Sequence, residues 1–405
     1  MKAPFSPDID LMKTLRHDIH QHPELGFEEF KTSMLVAELL VGWGFTVTKG
    51  IGGTGVVGQL TFGDGTGPKL GIRADMDALP ITEATGLPWA SQYPGRMHAC
   101  GHDGHTAILL GAADVLAKYR DALECPLNGT LNLIFQPAEE VGGGGGAQRM
   151  IEDGLFDRFP CDAIFGLHNM PGTPVGHCFV RSGPFMCSSD KVKVRIQGKG
   201  GHGAMPHLAT DPTVVAASIL LGLQTIISRN LDPFHTGVVS VGRLHSGESY
   251  NIIPECCELE LSVRALQPSA RNTLKQRLTD LIQHQALAFD CQVDLQYENG
   301  YPVLVNAEQP TAALVEVAQE VFGFDNVDDD GQPISGSEDF AYMLQQVPGC
   351  YIMIGNGDNG HAEGRHLGPC SVHNPHYDFN DENLPLGAKL WVSLALKFLS
   401  DHQNN

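Results

Sequence analysis

Four of the best metal-binding or proton-carrying side chains fall within HACGHDGH, residues His98 to His105: His98, Cys100, His102 and His105, with Gly101 and Gly104 between them. Cys100 and His102 stand two positions apart, a spacing that cannot share one helix face, where neighbours are three or four apart. They can converge only where the chain turns, and Gly101 is the residue that permits it. A thiolate beside an imidazole is a donor pair that zinc and similar borderline cations accept. Geometry alone does not choose among the three histidines.

A second constellation is Gln136-Pro137-Ala138-Glu139-Glu140-Val141, followed by five glycines, Gly142 to Gly146. A strand that ends at Pro137 and a glycine run that cannot support a helix put both glutamates on a loop at a strand's carboxyl end. In open α/β sheets ligands bind at that edge. Two adjacent carboxylates on their own are a solvated pair. Beside a metal, one could bind it while the other carries a proton to and from activated water. His168, in GLHNMPG, follows a strand directly, and His373, in SVHNPHYDF, lies in a loop that the nearby Pro375 should keep extended. A lone histidine is more often a hydrogen-bonded surface residue, so both depend on the two clusters for their interest. Asp75 and Asp77 in RADMDALP could orient a metal ligand or merely stabilise a turn. His17, His20 and His22 sit at helical spacing near a helix end, where capping or facing water accounts for them, and Ser337, Glu338 and Asp339 suit a helix cap.

These residues need strand ends and loops to hold them. Leu11–His20 and Glu28–Val41 read as helices, and Thr54–Phe62, Lys69–Ala74, Thr130–Gln136 and Asp162–Leu167 as strands, an alternation expected of an α/β layer structure. The small and apolar residues of Gly104–Tyr119 form a helical pattern, placing HACGHDGH at a loop-to-helix entrance. From about Asp190 the pattern changes. Strand Lys191–Gln197, helix Pro212–Ser228, strands Thr236–Leu244 and Cys257–Ala265, helix Ser269–Ala288 and strand Cys291–Glu298 follow the order βαββαβ of a ferredoxin-like unit. After Tyr301-Pro302 the first pattern resumes, with helices Gln309–Val321 and Glu338–Gln346, strand Cys350–Gly355 and a last helix Asn383–Leu399. The expected division is a discontinuous domain of residues 1–187 and 301–405, with residues 188–300 inserted.

At 405 residues the chain has room for two such cores. Its 47 acidic and 26 basic residues give a formal charge of -21, which repels polyanions and argues against nucleic acid as a partner. The amino-terminal stretch carries charges and a proline where a signal peptide needs an apolar core, and no segment approaches the roughly 18 uncharged apolar residues of a membrane span. Ten cysteines are too few for a disulfide scaffold of this length. A cytoplasmic setting without membrane attachment is therefore expected.

One motif points elsewhere. Gly198-Lys199-Gly200-Gly201-His202-Gly203 satisfies the dinucleotide fingerprint G-x-G-x-x-G after a strand. Ala204-Met205-Pro206 interrupts the helix that should follow, and no acidic residue ends a second strand about 20 positions on. A dinucleotide-dependent oxidoreductase is the alternative from another reaction class. A structural zinc protein is a third, although such sites close with four ligands and have no spare carboxylate.

RHDIHQHPELGFEE, GIRADMDALPITE, HACGHDGH, QPAEE with its glycines, GLHNMPG, GKGGHGAMPH, YNIIPE, SGSEDFAY and HNPHYDF occur in order along the chain. Together they resemble the metal-dependent aminoacylase and carboxypeptidase superfamily, and within it the bacterial hippurate hydrolases and plant indole-acetyl-amino-acid hydrolases. The resemblance implies a zinc-exopeptidase-like α/β catalytic domain with an inserted ferredoxin-like lid and dimerisation domain. It implies two divalent ions, manganese, zinc, cobalt or nickel, held by Cys100, His102, Glu140, His168 and His373, with Cys100 bridging and Glu139 as general base. His202 would stabilise the transition state from the partner subunit of a homodimer, and Asn251 would meet the substrate carboxylate. The implied reaction is cleavage of an N-acyl amino acid, N-benzoyl or N-acetyl, by metal-activated water. Dipeptidase, carboxypeptidase and N-acetyl-diaminopimelate deacetylase activities are the alternatives within the family.

Overall fold

The computed structural model describes residues 6–122, 127–357 and 370–401. Every candidate site residue lies within them, whereas residues 1–5 of the amino-terminal stretch and Cys125 fall outside the described residues. The chain forms two compact units, Met1–Gly183 with Val305–Gln332 and Tyr342–Asn405, and Pro184–Leu304 with Pro333–Ala341.

Along the chain come α1 (Ile9–Gln21), α2 (Phe30–Gly42), β1 (Thr46–Ile51), β2 (Gly55–Phe62), β3 (Lys69–Asp75), α3 (His102–Arg120), β4 (Gly129–Gln136), α4 (Gly146–Glu152), β5 (Ala163–Pro171) and β6 (Cys178–Phe179). There follow β7 (Ser188–Gln197), β8 (Gly201–His202), α5 (Pro212–Arg229), β9 (Gly237–Ser246), β10 (Ile252–Ile253), β11 (Cys256–Ala265), α6 (Pro268–Ala288) and β12 (Gln292–Asn299). The last are α7 (Glu308–Phe322), β13 (Val327–Asp328), β14 (Gly349–Gly357) and α8 (Asn383–Asp401).

The first unit is built on an eight-stranded mixed sheet in the order β1-β2-β4-β3-β5-β14-β6-β13. β3 runs parallel to β4 and β5, and β14 parallel to β5, so four central strands end at one edge. β3, β4 and β14 are buried almost throughout, as the near-continuous apolar runs of parallel strands require. Leu70, Ile72, Leu133 and Phe135 from the strands share a core with Met12, Leu40, Ile108, Leu109 and Trp391 from α1, α2, α3 and α8. Gly111 lets α1 and α3 approach, since a Cβ there would sit 2.5 Å from Met12 Sδ.

Three local details differ from expectation. α3 starts at His102 rather than Gly104, putting His102 and His105 on the helix and Cys100 outside it. The glycine run does end in a helix: α4 begins on Gly146, where a Cβ would fall 1.7 Å from the Pro137 carbonyl oxygen. His373 is not extended but left-handed, with φ 67°.

The second unit holds a four-stranded antiparallel sheet in the order β9-β11-β7-β12. With α5 and α6 this is the βαββαβ arrangement expected of a ferredoxin-like unit. Burial alternates strictly along most of β7 and β11. Val192, Val194, Leu259, Leu261 and Val263 pack on Val215, Ile219 and Leu223 of α5 and Leu274, Leu278 and Ile282 of α6. On the strands' other residues Lys191, Lys193, Arg195 and Arg243 pair with Glu258, Glu260 and Glu298. α5 corrects one expectation: by length and composition Pro212–Arg229 is apolar enough to cross a membrane. Its Val215, Ala216, Ile219, Leu223 and Ile226 are instead buried in the unit's core.

Candidate metal centre

The site lies at the carboxyl edge of the central strands of the first unit. β3 ends at Asp75 and β4 at Gln136, which are paired across the sheet, whereas β5 runs on to Pro171, so that His168 lies within the strand and does not follow it as expected. Gly101, at φ 96°, turns the chain between Cys100 and the first residue of α3. A Cβ there would come within 2.3 Å of Asn169 Nδ2 and 2.6 Å of the Tyr377 hydroxyl, so only glycine fits. After Pro137 the chain passes through Ala138, left-handed at φ 53°, into a single 3-10 turn, Glu139–Val141.

These turns gather the residues singled out above. Cys100, His102 and His168 present ligand atoms within 4.8 Å of one another, and so do Cys100, Glu140 and His373. Cys100 Sγ is 3.2 Å from His168 Nε2, and His373 Nε2 is 3.0 Å from Glu140 Oε1. The His373 amide donates to the Ala99 carbonyl at 2.7 Å, tying that loop to the residue before Cys100. Glu139 is buried and forms a further close group with His102 and Glu140. His202 and Asn251 lie in the second unit. There β8 pairs with β10, the Gly203 amide donates to the Asn251 carbonyl at 2.8 Å, and both side chains are exposed.

The supporting hydrogen bonds settle what Asp75 and Asp77 do, which spacing left open. Both are buried. Asp77 Oδ1 is 3.2 Å from His102 Nδ1, while its other oxygen accepts from the Glu140 amide at 2.9 Å. Asp75 accepts from Arg73 at 2.7 Å and lies 2.7 Å from His105 Nδ1. His105 Nε2 accepts from the Asn169 amide, so both its nitrogens are engaged. Asn169 also donates to the Cys100 carbonyl at 2.7 Å and accepts from the Tyr377 hydroxyl at 2.6 Å. Sequence reasoning missed Asn169 and Tyr377, although each sits within a quoted histidine motif, GLHNMPG and HNPHYDF.

The electrostatics suit a cation. Burial pulls the His102 imidazole down, but Asp75, Asp77 and Glu140 outweigh it and push it up to about 10. Burial, then the charges of Glu140, Glu139 and Asp75, push the Cys100 thiol well above its usual range. Burial and the neighbouring His105 and His102 hold His168 well below the usual imidazole range, leaving it neutral with a lone pair to give. His102 Nε2 is buried without a hydrogen-bond partner, and Glu140 Oε1 has His373 Nε2 beside it at 3.0 Å. Sulfur, nitrogen and oxygen donors around an orphaned imidazole nitrogen fit borderline divalent ions. Gly198–Gly203, by contrast, contains β8 and leads into a 3-10 turn at Pro206–Leu208, so no helix N-terminus faces a pyrophosphate.

Comparison with known proteins agrees with this reading. Residues 71–397 match the model of peptidase family M20/M25/M40. The chain is 41% identical to the hippurate hydrolase of Campylobacter jejuni over 95% of its own length and 96% of that protein. It is 40% identical to the N-acetyl-L-cysteine deacetylase of Bacillus subtilis over 85% of its length and 80% of that protein. The crystal structure of the Bacillus subtilis YxeP protein, a dinuclear metal binding peptidase of the M20 family, superposes with a TM-score of 0.81 at 32% identity, covering 96% of this chain and 98% of that one. With this sheet, this cluster of donors and these relatives, the chain belongs to peptidase family M20/M25/M40.

Proposed function

We propose that this chain is a metal-dependent amidohydrolase that splits an N-acyl amino acid, with N-benzoyl or N-acetyl groups, into a carboxylic acid and a free amino acid. The observation that carries the reading is the sharing of Cys100 between two donor groups, Cys100-His102-His168 and Cys100-Glu140-His373, with a second carboxylate, Glu139, alongside. The five donors would hold two divalent ions, manganese, zinc, cobalt or nickel, whose Lewis acidity acidifies water and polarises an amide carbonyl. Asp77 orients His102 and the Glu140 backbone together. Glu139 takes the proton from the attacking water and delivers it to the departing amine nitrogen. His202, supplied by the partner of a homodimer, donates to the oxygen that gains charge, and the Asn251 carboxamide binds the substrate carboxylate.

Residues 1–187 and 301–405 form the catalytic domain in this reading, and residues 188–300 the lid and dimerisation domain. A reducing, cytoplasmic setting accords with the free thiols of Cys100, Cys161, Cys178, Cys187, Cys256, Cys257, Cys291 and Cys350.

The test combines hydrolysis with metal content. On hippurate and a panel of acetyl and indole-acetyl amino acids, the metal-loaded protein releases free amino acid, and Glu139→Gln lowers kcat by about 100- to 10,000-fold with its ions retained by elemental analysis. Undiminished hydrolysis in that variant removes Glu139 as the base. Silence across the whole panel removes the substrate class.

A further inference from the structure

The chain before α2 reaches the turn that carries the two glutamates. Gly26 has no room for a side chain, because a Cβ would meet Val141 Cγ2 at 2.4 Å and Ala138 Cα at 3.1 Å. Phe27, left-handed at φ 65°, lies under the Arg149 guanidinium, 4.6 Å from its ring centroid. Two residues on, Glu29 is fully buried. It occupies the N-cap position of α2, yet its side chain makes no capping hydrogen bond. One carboxyl oxygen accepts from the Ala138 amide at 2.8 Å, and the other accepts from the Thr54 hydroxyl.

Ala138 is the residue that needs holding. A non-glycine residue in the left-handed region is strained and persists only where its surroundings enforce it. The Gly146 amide fixes the Ala138 carbonyl at 3.0 Å, and Glu29 fixes its N–H. Glu139 follows immediately, so the direction in which its carboxylate leaves the strand is set at this one peptide.

We infer that Glu29 is a positioning residue for the hydrolytic reaction, its carboxyl oxygen locking left-handed Ala138 and so aiming Glu139. The inference rests on Glu139 being the base. Charge on Glu29 is not required. Burial pushes its carboxyl up to about 7, and the Thr54 hydroxyl can donate to a carboxylate or accept from the neutral acid while the Ala138 bond survives. Glutamine therefore replaces it conservatively, whereas alanine removes the acceptor and aspartate is too short to reach.

Metal-loaded Glu29→Ala, Glu29→Asp, Glu29→Gln and Glu139→Gln are compared on hippurate, with folding checked by circular dichroism and metal content by elemental analysis. Glu29→Ala and Glu29→Asp lower kcat about 10- to 100-fold with KM little changed, the scale of a misaimed catalytic group, and Glu29→Gln restores it. An alanine or aspartate variant that folds and keeps wild-type kcat overturns the inference, as does a glutamine variant as impaired as alanine. The glutamine arm decides even if both shortened variants fail to fold. An active Glu139→Gln sinks the reading of the base itself, whereas an inactive one beside an unimpaired Glu29→Ala sinks only the role of Glu29.

Discussion

Two of the proposed ligands hold protons that a cation has to displace. Burial and the nearby carboxylates keep the Cys100 thiol protonated at neutral pH, and Asp75 and Asp77 do the same for the His102 imidazole. Ligation needs a thiolate and a neutral imidazole, so metal uptake releases protons and apparent affinity rises with pH. Titrating metal-free protein calorimetrically in buffers of different ionisation heat should show net proton release at pH about 7, with affinity weakening as pH falls. Uptake without proton release would mean that neither group is a ligand. At this scale the sequence was partly legible. The turn at Gly101 that joins Cys100 to His102 followed from their spacing alone. The choice of His102 over His105 did not, because it depends on Asp75 and Asn169, which occupy both His105 nitrogens from distant strands.

Between elements, Arg16 on α1 is the principal fastening. Its buried guanidinium lies 3.3 Å from Asp103 on α3, and 2.9 and 2.5 Å from Asp378 and Asp381 in the segment before α8. His20, one turn along α1, lies 2.8 Å from the same Asp103. Sequence spacing left His20 capping or facing water; it is fully buried instead, and its partner, distant in sequence, is invisible to any helical periodicity. Removing one member leaves buried carboxylates uncompensated, so Arg16→Met should lose about 3–5 kcal/mol in urea unfolding. A loss under about 1 kcal/mol would rank the cluster with surface pairs. The cluster also gives stability a pH slope. Burial pulls the His20 imidazole down, but Asp103 and Glu83 overcome it and push it up to about 9. That contribution is complete below the free imidazole's usual value of about 6.5 and fades as pH rises toward about 9, a decline that His20→Gln should flatten. The main helices and strands were readable from periodicity because burial imposes it. β1, with Lys49 and Gly50, and the two-residue strands β6, β8, β10 and β13 carry too few apolar residues to announce themselves.

At the scale of the molecule, the second unit has apolar surface of its own. β9 is an edge strand with most residues exposed, and Val214, Leu221 and Phe234 are also open. An open edge with apolar neighbours is what a protein covers by association, which accords with the proposed homodimer. Sedimentation velocity should find a dimer at micromolar concentration and a monomer for Leu221→Glu. A wild-type monomer under the same conditions would remove the partner from which His202 is supplied. The formal charge of -21 sets like-charged copies against each other, so the dimer should tighten as salt is added. The fold class was legible because the order βαββαβ prescribes a ferredoxin-like sheet. The apolar character of α5 was not, because Val214 and Leu221 on its exposed side add to the buried Val215, Ile219 and Leu223.

The contact between Gly26 and Ala138 also bears on how this sequence can vary. A Cβ on Gly26 would sit 3.1 Å from the Ala138 Cβ, so enlargement at either position trespasses on the other. The left-handed backbone at Ala138 separately shuts out β-branched residues. Substitutions at these two sites should therefore combine non-additively. Residues far apart in the chain share one allotment of space, and drift at one is constrained by what the other already holds.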